Sequence, residues 1–170
     1  LFPFNLLPFL TKLKTLKVRN CDYVKTIFDV KRVTQNYGAN HLPLHFALKK
    51  LTLSNLPNLE NVWNEDPNGI LTMQLLQKAS VDNCKCLTSV FPASVAKDIV
   101  RLENLVVQHC ERLISIVAED NADPKETNLE LTFPCQKSLT LCDMPKLNYV
   151  LQCDMTKTFA HLEPHLKIKS

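Results

Sequence analysis

The sequence predicts a solenoid: one coil repeated along the chain, with a short strand in each coil and the strands stacked into a parallel sheet. Three observations predict it. Five segments fit a single template of apolar positions. The centre of that template alternates with period two, the period of a strand with one buried face. The chain also has only two glycines, Gly38 and Gly69, far apart, which excludes the clustered glycines of a phosphate-binding loop or a dinucleotide fold.

The first segment carries Leu13, Leu16, Val18, Cys21, Val24 and Ile27. The second carries Leu48, Leu51, Leu53, Leu56, Leu59 and Val62, and the third Leu76, Ala79, Val81, Cys84, Leu87 and Val90. The fourth carries Leu102, Leu105, Val107, Cys110, Leu113 and Ile116. The fifth carries Gln136, Leu139, Leu141, Met144, Leu147 and Val150, and Gln136 alone departs from the pattern. A chain that is 45% apolar would fill fewer than half of these positions by chance. After each strand the spacing changes from two to three, which suits a turn and a return over the core. No coil buries its apolar face alone; stacking makes one continuous core.

Cys21, Cys84 and Cys110 occupy the turn position that Leu56 and Met144 fill elsewhere. Interchange with Leu and Met marks core packing, not a metal ligand or nucleophile. An apolar residue follows each segment: Phe28, Trp63, Phe91, Val117 and Leu151. Its recurrence predicts a second stacked row near the outer side, rather than an exposed aromatic site. Among the outer connections, Ser94 to Leu102 predicts a short helix, with Ser94 as N-cap and Val95, Ile99 and Leu102 on one face. The others read as loops. Two are long, 30–44 and 118–130. The second holds Glu119, Asp120, Asp123, Glu126 and Glu130 against Lys125 and reads as a solvated excursion. His165 to Lys169 reads as the start of a sixth strand. The chain begins with Leu, and neither end reads as a polar cap, so it reads as a fragment with apolar ends.

The remaining chemistry is sparse. A balance of 20 basic against 17 acidic residues, net +3, is too mild to point to nucleic acid. No apolar run reaches the roughly 18 residues that span a membrane, and the proline-bearing start lacks the basic region of a signal peptide. Seven cysteines without a CxxC pair make a disulfide framework a poor reading and favour a reducing compartment. His161 and His165 have a metal-like spacing, but Pro164 between them argues against the helix that would align them. No nucleophile motif occurs. No enzyme activity, cofactor or metal is expected.

The segments Leu16 to Phe28 and Val81 to Pro92 pair a Cys turn with a following L-x-x-I/V-F or its variant. Leu53 to Leu59 and Leu141 to Leu147 carry L-P and M-P turns instead. This alternation resembles the C-terminal leucine-rich repeats of plant nucleotide-binding immune receptors of the coiled-coil class, over essentially the whole chain. The resemblance implies an α/β leucine-rich repeat solenoid, a horseshoe. Its parallel concave sheet would have about five to six short strands, and its convex side would be mostly irregular or short-helical. It would form one domain over 1–170, with repeats near 10–43, 44–72, 73–98, 99–131 and 132–160 and a partial repeat at 161–170.

The resemblance further implies a non-enzymatic recognition module that senses pathogen effectors, restrains a receptor's nucleotide-binding switch, or both. The partners it implies are proteins: a pathogen effector, a guarded host protein, or the receptor's own nucleotide-binding domain. The setting is cytoplasmic, with the nucleus as the alternative compartment. No Walker motif is present, so no nucleotide site carries over. The runner-up is substrate recognition in an F-box-type ubiquitin ligase adaptor, whose repeats also bear Cys but are more even and lack the L-P turn. A hydrolase or thiol enzyme would need a catalytic pair, and none is found.

Residues between the buried strand positions face the concave side. They are Thr15, Lys17 and Arg19; Lys50, Thr52 and Ser54; Lys78, Ser80 and Asp82; Asn104, Val106 and Gln108; and Ser138, Thr140 and Cys142. Lys167 and Lys169 extend the series. The first three strands are basic and the middle strands small and polar, so a partner is expected at the basic end.

Overall fold

The computed structural model describes residues 1–30, 43–68, 70–118 and 133–147, and the backbone of 166–169. Strands β2 (Thr15–Arg19), β5 (Lys50–Ser54), β8 (Lys78–Asp82), β10 (Asn104–Gln108), β12 (Ser138–Cys142) and β13 (Leu166–Lys169) form one six-stranded sheet. All its pairings are parallel and in register, so that Leu16, Leu51, Ala79, Leu105 and Leu139 stand in one row and Val18, Leu53, Val81, Val107 and Leu141 in the next. Both rows are buried. We number the coils one to six by these strands. The sequence template therefore has the register of the sheet, and the sixth strand forms as expected.

The same joints recur at each coil. The carbonyl of Lys14 accepts from the N–H groups of Lys49 and Lys50, that of Lys49 from Gln77 and Lys78, that of Gln77 from Glu103 and Asn104, and that of Glu103 from Lys137 and Ser138. After the strand, the turn closes by Leu59 N–H to Leu56 O, Leu87 to Cys84, Leu113 to Cys110 and Leu147 to Met144, at 3.1–3.2 Å. Each coil thus satisfies its neighbour's backbone, which an isolated coil could not do.

The outer row also forms. Strand β3 (Thr26–Asp29) pairs with β6 (Asn61–Trp63), and β9 (Ser89–Phe91) with β11 (Ser115–Val117), all parallel. The Phe28 and Trp63 rings stack with centroids 4.3 Å apart, and both are buried. Between the inner and outer rows, β4 (Leu44–His45) pairs with β7 (Leu71–Thr72).

Three expectations need correction. Helix α2 spans Ala93–Asp98, and its N-cap is Pro92, not Ser94. Asp66 of the preceding connection serves the helix start: its carboxylate accepts from the Ser94 N–H at 3.1 Å and from the Ser94 hydroxyl. Val95, Ile99 and Leu102 are buried as expected.

The apolar N-terminus is more than a bare end. Strand β1 (Phe2–Pro3) pairs with β3 and sets Phe2 beside Phe28, and the short helix α1 (Leu7–Leu10) buries Leu7. It continues the outer row by one strand, although Leu1, Leu6 and Phe9 stay exposed.

Cys21 is half-buried while Cys84 and Cys110 are fully buried. It lies in the first coil, which a neighbouring strand of the main sheet covers on one side only. Gln136, the residue that departs from the template, is buried, and its Nε2 donates to the Ser138 carbonyl at 2.8 Å.

The expectations on His161, His165, Gly38, Gly69, Val150, Leu151 and the loop residues 119–130 lie outside the described residues, as do the side chains of Lys167 and Lys169.

Candidate interaction surface on the concave sheet

Alternation along each strand sends every second side chain away from the core. Thr15, Lys17, Arg19, Lys50 and Lys78 are exposed, while Ser54, Ser80, Asp82, Asn104, Val106, Gln108, Ser138, Thr140 and Cys142 are half-buried. The face is therefore laid out as expected, with one correction. Thr52 is only 6% exposed. In register it stands between Lys17 and Ser80, with Lys50 two residues before it. Its Oγ1 has no hydrogen-bond partner among the described residues.

The register sorts the face by charge. Thr15, Lys50, Lys78, Asn104 and Ser138 share one row; Lys17, Thr52, Ser80, Val106 and Thr140 the next; Arg19, Ser54, Asp82, Gln108 and Cys142 the third. Lys50 and Lys78 are thus side by side on strands about 4.8 Å apart, and like charges so placed repel. Lys14 and Lys49, at the strand entries, are also exposed. None of Lys14, Lys17, Arg19, Lys49, Lys50 and Lys78 forms an ion pair among the described residues. The acids near the sheet are engaged further along: Glu103 with Lys137 at 3.2 Å, Glu111 with Lys85 at 3.0 Å, and Asp82 with His109 at 2.8 Å. Beyond the basic end the face turns to hydroxyls and amides, with Asn104 Nδ2 donating to Ser138 Oγ at 2.6 Å.

The sequence reading missed the row at the end of the strands. Asn20, Asn55, Asn83, His109 and Asp143 all have φ between 51° and 54°. That left-handed region costs most residues about 1–2 kcal/mol, and Asn, Asp and His tolerate it best. Each of Asn20, Asn55, Asn83 and His109 donates its backbone N–H to the last strand carbonyl of the next coil. The side chains add a ladder: Asn55 Nδ2 donates to Asn20 Oδ1 at 2.8 Å, and Asn83 Nδ2 to Asn55 Oδ1 at 3.0 Å. The signal was present as a polar residue before every Cys, Leu or Met turn. A template of apolar positions could not see it.

The turn cysteines have a local role. Cys21, Cys84 and Cys110 each donate a thiol hydrogen bond to the carbonyl two residues back. Hydrogen bonding with the Cys110 thiol, together with burial, pushes Cys84 far above the usual thiol range, so it stays neutral. No cluster of metal-ligating side chains occurs among the described residues. No described helix is long and apolar enough to cross a membrane.

Comparison with protein families matches residues 1–111 to the leucine-rich repeats described as plant disease resistance protein RPS2-like. Neither the curated proteins nor the solved structures contain a match. The family match runs from the N-terminal strand to the turn of the fourth coil, well over half of the 170 residues. It agrees with the Cys and L-P turn alternation and gives the ubiquitin-ligase reading no support. The chain belongs to the RPS2-like leucine-rich repeat family of plant disease resistance proteins.

Proposed function

We propose that this chain is a non-enzymatic protein-recognition module of an intracellular plant immune receptor. It senses a pathogen effector, directly or through a guarded host protein, or restrains the receptor's nucleotide-binding switch. It does so through the concave face from Thr15 to Cys142, with the strongest contacts at the basic end. The compartment is the cytoplasm or nucleus, which suits buried free thiols.

The observation that carries this reading is the set of exposed cations on adjacent strands, Lys17, Arg19, Lys50 and Lys78, with no acid of the described residues to pair them. Lys50 and Lys78 stand side by side, within one Debye length, about 8 Å at physiological salt, so their fields add, and Lys17 and Arg19 extend the positive face along the next strand. An acidic protein surface relieves the repulsion between Lys50 and Lys78 and gains complementarity and on-rate. The small and polar side chains of the following strands, Ser80, Asn104, Gln108, Ser138 and Thr140, continue the face for the same partner.

The test is to replace all four cations by Glu in a full-length receptor. No buried position is touched, so folding is expected to survive. Cell-death signalling in leaf tissue, with and without candidate effectors, reads the outcome. Loss of the effector response supports recognition at this face, and self-activity supports restraint. A folded variant that behaves as the parent in both conditions overturns the assignment of the surface.

A further inference from the structure

His109 interrupts the asparagine ladder, and it does so in a chemically specific way. Its Nδ1 lies 2.8 Å from Asp82 Oδ1 and its Nε2 3.1 Å from Asp143 Oδ2. Asp82 ends the strand of the third coil, and Asp143 follows the strand of the fifth. One imidazole therefore bridges three successive coils. A carboxylate only accepts hydrogen bonds, and a neutral imidazole has one N–H and one lone pair. Both contacts are satisfied only when both ring nitrogens carry protons. An Asn at this position, as at Asn55 and Asn83, would carry a neutral amide with no proton to gain or lose across this pH range.

We propose that His109 is a proton-controlled latch that fastens the fifth coil to the fourth and third. With the ring doubly protonated it holds Asp82 and Asp143 together. When it loses a proton, the remaining N–H stays with the closer Asp82, and a lone pair then faces Asp143. The contact to the fifth coil turns from attraction to repulsion, and the end of β12 loosens.

The surroundings support this assignment. From the third coil, Asp82 and Lys85 face the ring; from the fourth, Glu111 and the buried Cys110 thiol; from the fifth, Asp143 and the Cys142 thiol, which donates to Asp143 Oδ2 at 3.1 Å. Lys85 and Glu111 pair with each other at 3.0 Å, which leaves the two aspartates as the uncompensated charges beside the ring. The hydrogen bond to Asp82 raises the His109 pKa above its ordinary value, opposed by slight desolvation and reinforced by the charges of Asp82 and Asp143. The folded pKa is raised, so the latch's contribution is complete below the unfolded value of about 6.5. It is lost as pH rises through the folded value, which lies above that ordinary value.

The experiment compares the native chain with His109→Asn and Asp143→Asn. An asparagine side chain tolerates the left-handed backbone and can continue the ladder from Asn83, so His109→Asn keeps the fold without the titrating group. Amide exchange in β12, corrected for its intrinsic pH dependence, is followed from about pH 5.5 to about pH 8.5, the span in which an imidazole titrates. The expected result is protection in β12 that falls severalfold with pH in the native chain and stays level in His109→Asn. The His109 ring resonance is expected to titrate above about 6.5, and lower in Asp143→Asn than in the native chain. Equal pH dependence of β12 in the native chain and in His109→Asn, or a His109 titration at or below the ordinary value, overturns the latch. The readout is structural, so it stands or falls separately from the concave-face partner.

Discussion

A cysteine that alternates with Leu56 and Met144 along a stack is a small core residue whose thiol also has a use. Cys84 and Cys110 fill the turn position and donate to the strand carbonyl behind them, which neither Leu nor Met can do. Both are fully buried, and Cys84 is held neutral by its thiol neighbour and by burial. The thiolate is the reactive form, so Cys84 is expected to be inert; the hydrogen bond with Cys84 lowers the Cys110 pKa instead, and Cys110 is shielded by its full burial. In the folded chain, among the cysteines of the described residues, Cys135, which is exposed, should react first with a thiol reagent. The half-buried Cys86, Cys142 and Cys21 should follow, and Cys84 and Cys110 should react only on unfolding. Mass-spectrometric mapping of the alkylated peptides measures the order. Early labelling of Cys84 or Cys110 under native conditions would refute the packing role. Cys21 shows where residue-level reading ran short: its type predicts full burial, but coverage depends on which coils flank it.

At the scale of the element, the inner strands and the outer row were legible because both leave a periodic apolar trace. The row at Asn20, Asn55, Asn83, His109 and Asp143 was not, since its cause is backbone conformation rather than burial. Strand β1 was not legible either: two residues show no period, and only its pairing with β3 reveals it. Nor was the burial of Thr52 legible, since alternation alone sets it on the outward face. The basic end of the concave face was legible from alternation alone, whereas the Asp82–His109–Asp143 bridge needed the register. The left-handed row carries a prediction of its own. Asn55 contributes both a tolerated backbone and two ladder hydrogen bonds, to Asn20 and from Asn83. Both Asn55→Gly and Asn55→Ala remove the bonds, but Gly adopts the left-handed region freely, whereas Ala bears its cost without the local side-chain hydrogen bonding that lets Asn tolerate it. The Ala variant should be less stable than the Gly variant by about 1 kcal/mol, measured from urea midpoints. Equal losses would mean that the conformational cost is negligible here and that the side-chain ladder alone selects Asn.

For the whole molecule, stacked coils make stability a sum of nearest-neighbour contacts. The burial gradient already shows it. In the first coil Leu16 and Val18 are 7% and 6% exposed, whereas Leu53, Val81 and Val107 in the second, third and fourth are at 0%. The first coil also holds the partly covered Leu13 and Val24. A coil with two neighbours loses two interfaces on opening, and an end coil loses one, so local opening should begin at the ends. Native-state hydrogen exchange is therefore expected to show the strongest protection in β5, β8 and β10, with β2, which has one neighbour in the sheet, weaker. The N-terminal segment tests the same logic by deletion. Phe2 packs on Phe28 with ring centroids 6.1 Å apart, and Leu7 is buried. Removing residues 1–10 takes away that cover and bares Phe28. At about 1.5–3 kcal/mol for each large apolar side chain fully removed from or returned to water, the loss should be roughly 3 kcal/mol. It should fall mainly on β2 and β3 and leave exchange in β8 and β10 nearly unchanged, because additive neighbour contacts do not reach across two coils. A deletion that lowers protection evenly from β2 to β12 would show one cooperative unit instead, and the nearest-neighbour description of this solenoid would fail.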